Sequence, residues 1–130
     1  MKRSINRFED LEIWRTSREF SKLIYHHFKI FKTNLDLPLT NQILRSSGSV
    51  VDNIAEGFER GGNKEFIQYL WISKASAGEC RSQLYRAYDH EVISKEDFEN
   101  LINKVEEISK KIYKLIQYLK ESELKGQKYK

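Results

Sequence analysis

The chain has 130 residues, a single cysteine and a formal net charge of +4, so it has the size of one ordinary domain that can bury a core without disulfides or a structural metal. Cys80 has no second cysteine to pair with, which favours a reducing compartment, and no apolar run approaches the roughly 20 residues that span a bilayer. The basic start of the chain is not followed by the apolar stretch of a secretory signal, so we predict a cytoplasmic protein with no membrane partner.

Breaks between helical segments are few. One proline, Pro38, and clusters of turn-forming residues at 33–36, 61–63 and 90–94 divide the chain. The segments between them lack the period-two alternation of strands. We therefore predict a single all-α domain, an antiparallel up-down-up-down four-helix bundle. Its helices are expected at residues 8–32, 38–59, 63–89 and 94–122, followed by a polar tail.

The first segment carries an apolar face and a basic face. The apolar residues recur at helical spacing, at Ile13, Ser17, Phe20, Ile24, Phe28 and Phe31. Five cations fall within an arc of about 80° on another side, and we call this set the basic strip: Arg7, Arg15, Arg18, Lys22 and Lys29. A strip of about 33 Å of helix is able to track a phosphate backbone. The alternative is a solvated basic face.

The second segment begins with Pro38, which suits a first helical turn. Its core stripe consists of Leu39, Ile43, Val50 and Ile54, completed by the small residues Ser46, Ser47 and Gly57. Gly48 lies inside the predicted helix, where glycine costs roughly 1 kcal/mol relative to alanine. We interpret Gly48 as a point of close contact with a neighbouring helix.

A polar side of the same segment contains Gln42, Arg45, Ser49, Asp52, Asn53 and Glu56. These side chains are able to form a hydrogen-bonded network, in which Arg45 pairs with Asp52 or Glu56. Polar networks of this kind set register and partner choice at interfaces. A solvated face is the alternative.

The third and fourth segments carry apolar residues at strict heptad spacing, which is typical of helices crossing at about 20°. The third-segment seam is Phe66, Leu70, Ser73, Ala77, Cys80, Leu84 and Ala87, and the fourth-segment seam is Phe98, Leu101, Val105, Ile108, Ile112, Leu115 and Leu119. Asn63 is expected to cap the third helix. Ser94, with Asp97 three residues on, is a weak variant of a capping box for the fourth.

A second stripe on the third segment, about 100° from its seam, consists of Ile67, Trp71, Lys74, Gly78 and Tyr85. Because aromatic residues are enriched at interfaces, the stripe predicts contact with another subunit. The alternative is a wide core face in which Trp71 is half-buried.

Residues 42–57 read QILRSSGSVVDNIAEG and resemble the signature of a bacterial four-helix-bundle family, the proteins encoded in intervening sequences of 23S ribosomal RNA. The family pattern is roughly Q-L-R-R-A-A-x-S-I-x-x-N-I-A-E-G. Matching residues are Gln42, Arg45, Ser49, Asn53, Ile54, Ala55, Glu56 and Gly57, with further support from Leu11, Trp14, Arg60, Phe66, Leu70, Ser76, Glu79 and Leu84. The chain departs from the pattern at Leu44, where the family has an arginine, and at Ser46 and Ser47, where it has alanines. If that arginine contacts nucleic acid in relatives, the contact is missing here.

The resemblance spans about residues 8–119 and implies an antiparallel bundle that assembles into a five-subunit ring. The chain is also similar to the accessory protein of diversity-generating retroelements, which works with a reverse transcriptase and structured RNA. This implies structured RNA or a nucleic-acid-handling protein as the partner.

Signatures of catalysis and of cofactor binding are not found. His26, His27 and His90 form no Glu-x-x-His pair, and the pair Gly61-Gly62 is not a phosphate-binding loop, so we predict no enzyme and no cofactor. The leading hypothesis is a homopentameric binding module for structured RNA or a ribonucleoprotein. Two alternatives are a protein-interaction scaffold and an enzyme with a site between subunits. Residues proposed for the subunit interface or its polar network are Arg45, Asn53, Glu56, Ile67, Trp71 and Tyr85.

Overall fold

The computed structural model describes residues 5–29 and 37–128. Over these ranges the protein has a 3-10 turn at Phe8–Asp10 and four α-helices, without a strand. The helices are α1 (Glu12–Phe28), α2 (Leu37–Glu59), α3 (Asn63–Asp89) and α4 (Lys95–Lys128). This is the all-α bundle that the sequence predicts. The predicted end of the first helix, with Phe31 and residues 33–36, lies outside the described residues.

The helices pack in the order of an up-down-up-down bundle. Each helix contacts the next one along the chain, and α4 also packs on α1. Within the described ranges α1 and α3 make no contact with each other, so they occupy opposite corners. The outward faces of α1 and α3 therefore point away from each other, which matters for the candidate interfaces below.

The apolar stripes of all four helices converge on one core. Ile24, Ile43, Leu84 and Ile112 lose all their solvent exposure there, and every residue of the predicted α3 seam is buried. In α4 the fully buried residue near the end is Ile116, while the predicted Leu115 is only partly buried. A straight helix of 3.6 residues per turn drifts relative to a strict seven-residue repeat, which moves the buried position by one residue.

The first helix begins at Glu12 and not at the predicted Phe8. Leu11 adopts an extended conformation (φ −76°, ψ 124°), which separates the 3-10 turn from α1. The turn is closed by the Leu11 amide, which donates to the Phe8 carbonyl at 2.9 Å. The Phe8 ring then packs edge-on against Trp14, with 5.0 Å between ring centroids, instead of continuing the helix.

The connection between α2 and α3 consists of Arg60 and two glycines. Gly61 has φ +88°, a left-handed conformation that glycine adopts without the steric penalty of a Cβ. The residue that caps α3 is Gly62 (φ −115°, ψ 149°) and not the predicted Asn63, which is already the first helical residue. The Glu65 carboxylate folds back over Gly62. At the start of α4 the predicted cap is confirmed, because the Asp97 amide donates to Ser94 Oγ at 3.1 Å.

At Gly57 the helix α2 lies close against α3, and the interpretation of Gly48 as a contact point is wrong. A Cβ at Gly48 would meet no atom within 4 Å, whereas a Cβ at Gly57 would lie 2.5 Å from the Tyr69 Cβ. Further along the same interface, the buried Ser73 hydroxyl donates to the Val50 carbonyl at 2.7 Å. Gly57 and the small serines thus let the two backbones come together, and Gly48 faces open space.

Cys80 lies fully inside the core between α2 and α3. Burial raises the pKa of its thiol from the ordinary 9.0 to about 12. We expect Ellman's reagent to leave the native protein unlabelled at pH 8 and to label it after unfolding in guanidinium. Because the folded-state pKa is raised, the stability from keeping the thiol neutral is fully present below about pH 9 and is lost as pH rises towards about 12. Rapid labelling of the native protein at pH 8 would contradict this placement.

Candidate nucleic-acid interface

The helical part of the basic strip is exposed along one side of α1. Arg15, Arg18 and Lys22 are exposed on this helix, and the exposed Lys29 follows directly at its C-terminal cap. They lie on the side of α1 opposite its buried residues Ile13, Phe20 and Ile24, because at 100° per residue the two sets point in roughly opposite directions. The side presents four cations along about 21 Å of helix.

The two arginines of this set are held by contacts that leave their charge at the surface. Arg15 Nη1 donates to the carbonyl of Glu9 at 3.0 Å, and the Arg18 guanidinium lies over the Trp14 ring at 5.6 Å from its centroid. Neither contact involves a carboxylate. Both side chains are therefore oriented in advance while their charge remains available to an anion.

Arg7 does not belong to the helical strip, which corrects the predicted length of about 33 Å. It precedes the 3-10 turn, and its Nε lies 3.5 Å from an Asp10 carboxylate oxygen and 3.9 Å from one of Glu9. The cause is the break at Leu11, which ends the helical alignment upstream of Glu12. Arg7 is thus partly neutralised by its neighbours.

The polar side of α2 lies along the groove between α2 and α3. Ser49 and Ser76 share a hydrogen bond of 2.8 Å, and Asn53 Nδ2 donates to the Ser49 carbonyl at 2.8 Å and to its hydroxyl at 2.9 Å. At one end of the groove, Arg86 donates to Gln42 Oε1 at 3.1 Å. A hydrogen-bonded chain therefore exists, but it links the two helices of one subunit.

The charged members of this side pair differently from the prediction. Glu56 pairs with Arg60 at 3.2 Å, and the Arg60 side chain also donates to the Tyr69 hydroxyl at 2.6 Å. Arg45, which was predicted to pair with Asp52 or Glu56, instead lines a groove of about 470 Å³ that also contains Glu79 and Arg86.

The second stripe of α3 is partly covered by α4 of the same chain. Ile67 packs against the core, and Tyr85 meets the Phe98 ring with 5.0 Å between centroids. Trp71 meets Tyr113 at 6.1 Å and keeps 40% of its surface exposed. The sequence argument that this stripe needs a partner outside the chain is weakened, because α4 supplies part of the partner. Trp71 and the neighbouring Ile72, which is 48% exposed, still leave apolar surface on the outward side of α3.

A groove between α3 and α4 was not predicted. Its volume is about 470 Å³, and we call it the lysine groove, because it is lined by Lys74, Ser109, Lys110, Tyr113 and Lys114. One sequence signal was available: Lys110, Tyr113 and Lys114 are three and four residues apart, so they share one side of a helix. The contribution of Lys74 from α3 requires the packing of the two helices.

The described residues offer little for metal chemistry. His27 Nδ1 lies 3.7 Å from an Asp97 carboxylate oxygen, a contact between α1 and α4. Within the described ranges no group of three or more His, Cys, Asp or Glu side chains is placed to hold a metal ion. Over the same ranges none of the helices has the length and apolar composition needed to span a membrane.

Comparison with known proteins identifies the chain's relatives. A family model described as "23S rRNA-intervening sequence protein" matches residues 9–124. A crystal structure of a protein of unknown function from the S23 ribosomal protein family of Bacteroides thetaiotaomicron is similar, with 28% sequence identity and a TM-score of 0.75. The similarity covers 80% of this chain and 97% of that one. No curated protein matches the chain.

Proposed function

Because the chain belongs to the 23S rRNA-intervening sequence protein family, we propose that it is a non-enzymatic, self-assembling helical module that binds structured RNA through the helical part of the basic strip. The observation that carries the proposal is the row of exposed cations on α1: Arg15, Arg18, Lys22 and Lys29. A duplex or folded RNA presents regularly spaced phosphates, which such a row contacts without reading sequence.

The position of α1 in the bundle supports combining RNA binding with self-assembly. The apolar surface at Trp71 and Ile72 lies on the outward side of α3, at the corner diagonal to α1. A second copy docked on α3 therefore leaves the cations of α1 accessible. In a ring, which the family resemblance implies to be a pentamer, one row per subunit would multiply a modest field. A cytoplasmic location, where RNA is the abundant polyanion, is part of the same proposal.

The α1 cations are tested by replacing Arg15, Arg18 and Lys22 together with glutamine, which is a comparable helix former. We expect the affinity for a folded RNA hairpin to fall roughly 100-fold at about 0.1 M salt, and the salt dependence to become less steep by about 2 to 3 units. Electrophoretic mobility shift and anisotropy titrations at several salt concentrations measure both quantities.

The matched control removes the same charge elsewhere, by replacing the exposed Lys64, Lys95 and Lys104 with glutamine. If the control weakens binding as much as the α1 variant, only net charge matters and the α1 interface is wrong. If the wild-type protein binds no RNA even at low salt, the protein-scaffold alternative replaces RNA binding. The exposed apolar surface at Trp71 and Ile72 favours that second candidate.

A further inference from the structure

We propose that the lysine groove is a separate binding site for unpaired RNA, in which a base stacks on Tyr113 and the flanking phosphates contact Lys74, Lys110 and Lys114. The proposal rests on the proposed function in one respect, that the ligand is RNA. It adds a second site on another face of the bundle, with a preference for single-stranded over paired nucleotides.

The lining of the groove is basic. Three of its five lining residues are lysines and none is acidic. Lys111 differs from these lysines. It lies between Lys110 and Lys114 in sequence, but its side chain turns towards α1. Its ammonium lies 3.0 Å from a Glu12 carboxylate oxygen and 3.3 Å from one of Glu107, and the hydrogen bonds to these carboxylates raise the Lys111 pKa. The structure therefore separates the neutralised Lys111 from Lys74 and Lys110, while Lys114 borders both the lysine groove and a second groove that contains Glu12.

The groove also contains an aromatic platform. Tyr113 keeps 45% of its surface exposed while it packs edge-on against Trp71, with 6.1 Å between ring centroids. Trp71 is itself contacted by the Lys120 ammonium at 5.4 Å from its ring centroid. The Tyr113 ring is thus braced from α3 and remains reachable from solvent, which is what base stacking on a protein surface requires.

The lysines and the exposed ring together favour one class of ligand. Inorganic phosphate or an acidic peptide would use the lysines but would gain nothing from an exposed ring. A duplex RNA would use the lysines too, but its base faces are hidden in the stack. An unpaired nucleotide uses both, because every base has a face that stacks and the neighbouring phosphates lie within reach of cations. The volume of about 470 Å³ is large enough for one base with its sugar.

The test uses a ten-nucleotide oligouridylate and a blunt RNA duplex of ten base pairs, titrated into the full-length protein at low salt. Replacing Tyr113 with alanine is expected to lower the affinity for oligouridylate about 5- to 150-fold and to leave its salt dependence unchanged. Tyr113→Phe should retain binding, because the ring is kept. Replacing Lys110 and Lys114 with glutamine should lower the affinity and also reduce the salt slope, by about 1.4 for two contacts to a single strand.

Tyr118→Ala is the matched control for the ring, because Tyr118 is on the same helix and is 49% exposed but does not line the groove. Equal oligouridylate affinities of Tyr113→Ala and Tyr118→Ala would overturn the stacking site. So would equal losses of duplex and oligouridylate binding in Tyr113→Ala.

The two proposals fail in different ways. If the α1 variant keeps hairpin binding while Tyr113→Ala loses oligouridylate binding, the α1 interface is wrong and the groove stands. If the α1 variant loses hairpin binding while the groove variants bind both ligands like the wild type, the groove is wrong and the proposed function stands. A wild-type protein that binds neither RNA overturns both.

Discussion

Replacing Gly57 with alanine is expected to destabilise the protein by about 1 to 3 kcal/mol, because the new methyl group has no room. It would lie 2.5 Å from the Tyr69 Cβ and 3.1 Å from Phe66 Cδ1. The Tyr69 Cβ is attached directly to the α3 backbone, so it cannot swing away as the end of a long side chain would. The two helices must move apart, which loosens the contacts on either side of the glycine.

Gly48→Ala is the matched control, in the same helix with the same chemical change. Its Cβ would meet nothing within 4 Å, and alanine is the better helix former, so we expect stabilisation of roughly 0.5 to 1 kcal/mol. Urea unfolding followed by circular dichroism measures both variants, with unchanged m-values confirming that the same transition is compared. If both substitutions shift the midpoint in the same direction, the close approach of α2 and α3 at Gly57 is contradicted.

The two glycines also mark where sequence reasoning succeeds and where it stops. Apolar spacing predicts which face of each helix is buried, because that face has to meet a core whatever lies across from it. The spacing also places Gly57 on the core stripe of α2 and Gly48 on the opposite side of that helix, so the error at Gly48 was one of interpretation. The spacing leaves the exact rotation of a helix uncertain, because the heptad pattern drifts enough to exchange Leu115 for Ile116 at the buried position in α4.

For the candidate sites, the sequence predicts features that lie on one helix but not features that two helices form together. The placement of Arg15, Arg18 and Lys22 on one side of α1 was predictable because they lie on one helix. The placement of Arg7 on that helix was wrong, because the backbone breaks at Leu11 and no periodicity indicates such a break. The lysine groove was not predicted, because Lys74 and Tyr113 belong to different helices. The second stripe of α3 was interpreted without its intrachain partner for the same reason: Tyr113 meets Trp71 only after α3 and α4 pack.

Self-assembly is the prediction with the largest expected effect on the state of the protein. We expect light scattering at micromolar concentration to give several times the chain mass of 15.5 kDa, and about five times if the ring implied by the family resemblance forms. Trp71→Asp and, separately, Ile72→Asp are expected to shift the protein towards a folded species of lower mass. An unpaired charge in an interface costs about 3 to 5 kcal/mol, which corresponds to at least a 100-fold weaker association.

The reason for expecting a folded product lies in the exposure of these two side chains. Trp71 and Ile72 keep 40% and 48% of their surface in one subunit, so an aspartate at either position remains hydrated in the free subunit and is dehydrated only when a second copy covers it. The Ile72 variant also tests assembly without changing the lysine groove, because Ile72 does not line that groove, whereas Trp71 contacts the groove residue Tyr113.

Leu124→Asp is the control, because Leu124 is 67% exposed on α4 and its change should leave the mass unaltered. If both α3 variants unfold, the outward side of α3 belongs to the bundle core and not to a subunit interface. An unchanged mass for both would move the subunit interface elsewhere, and a monomeric wild type would remove it altogether.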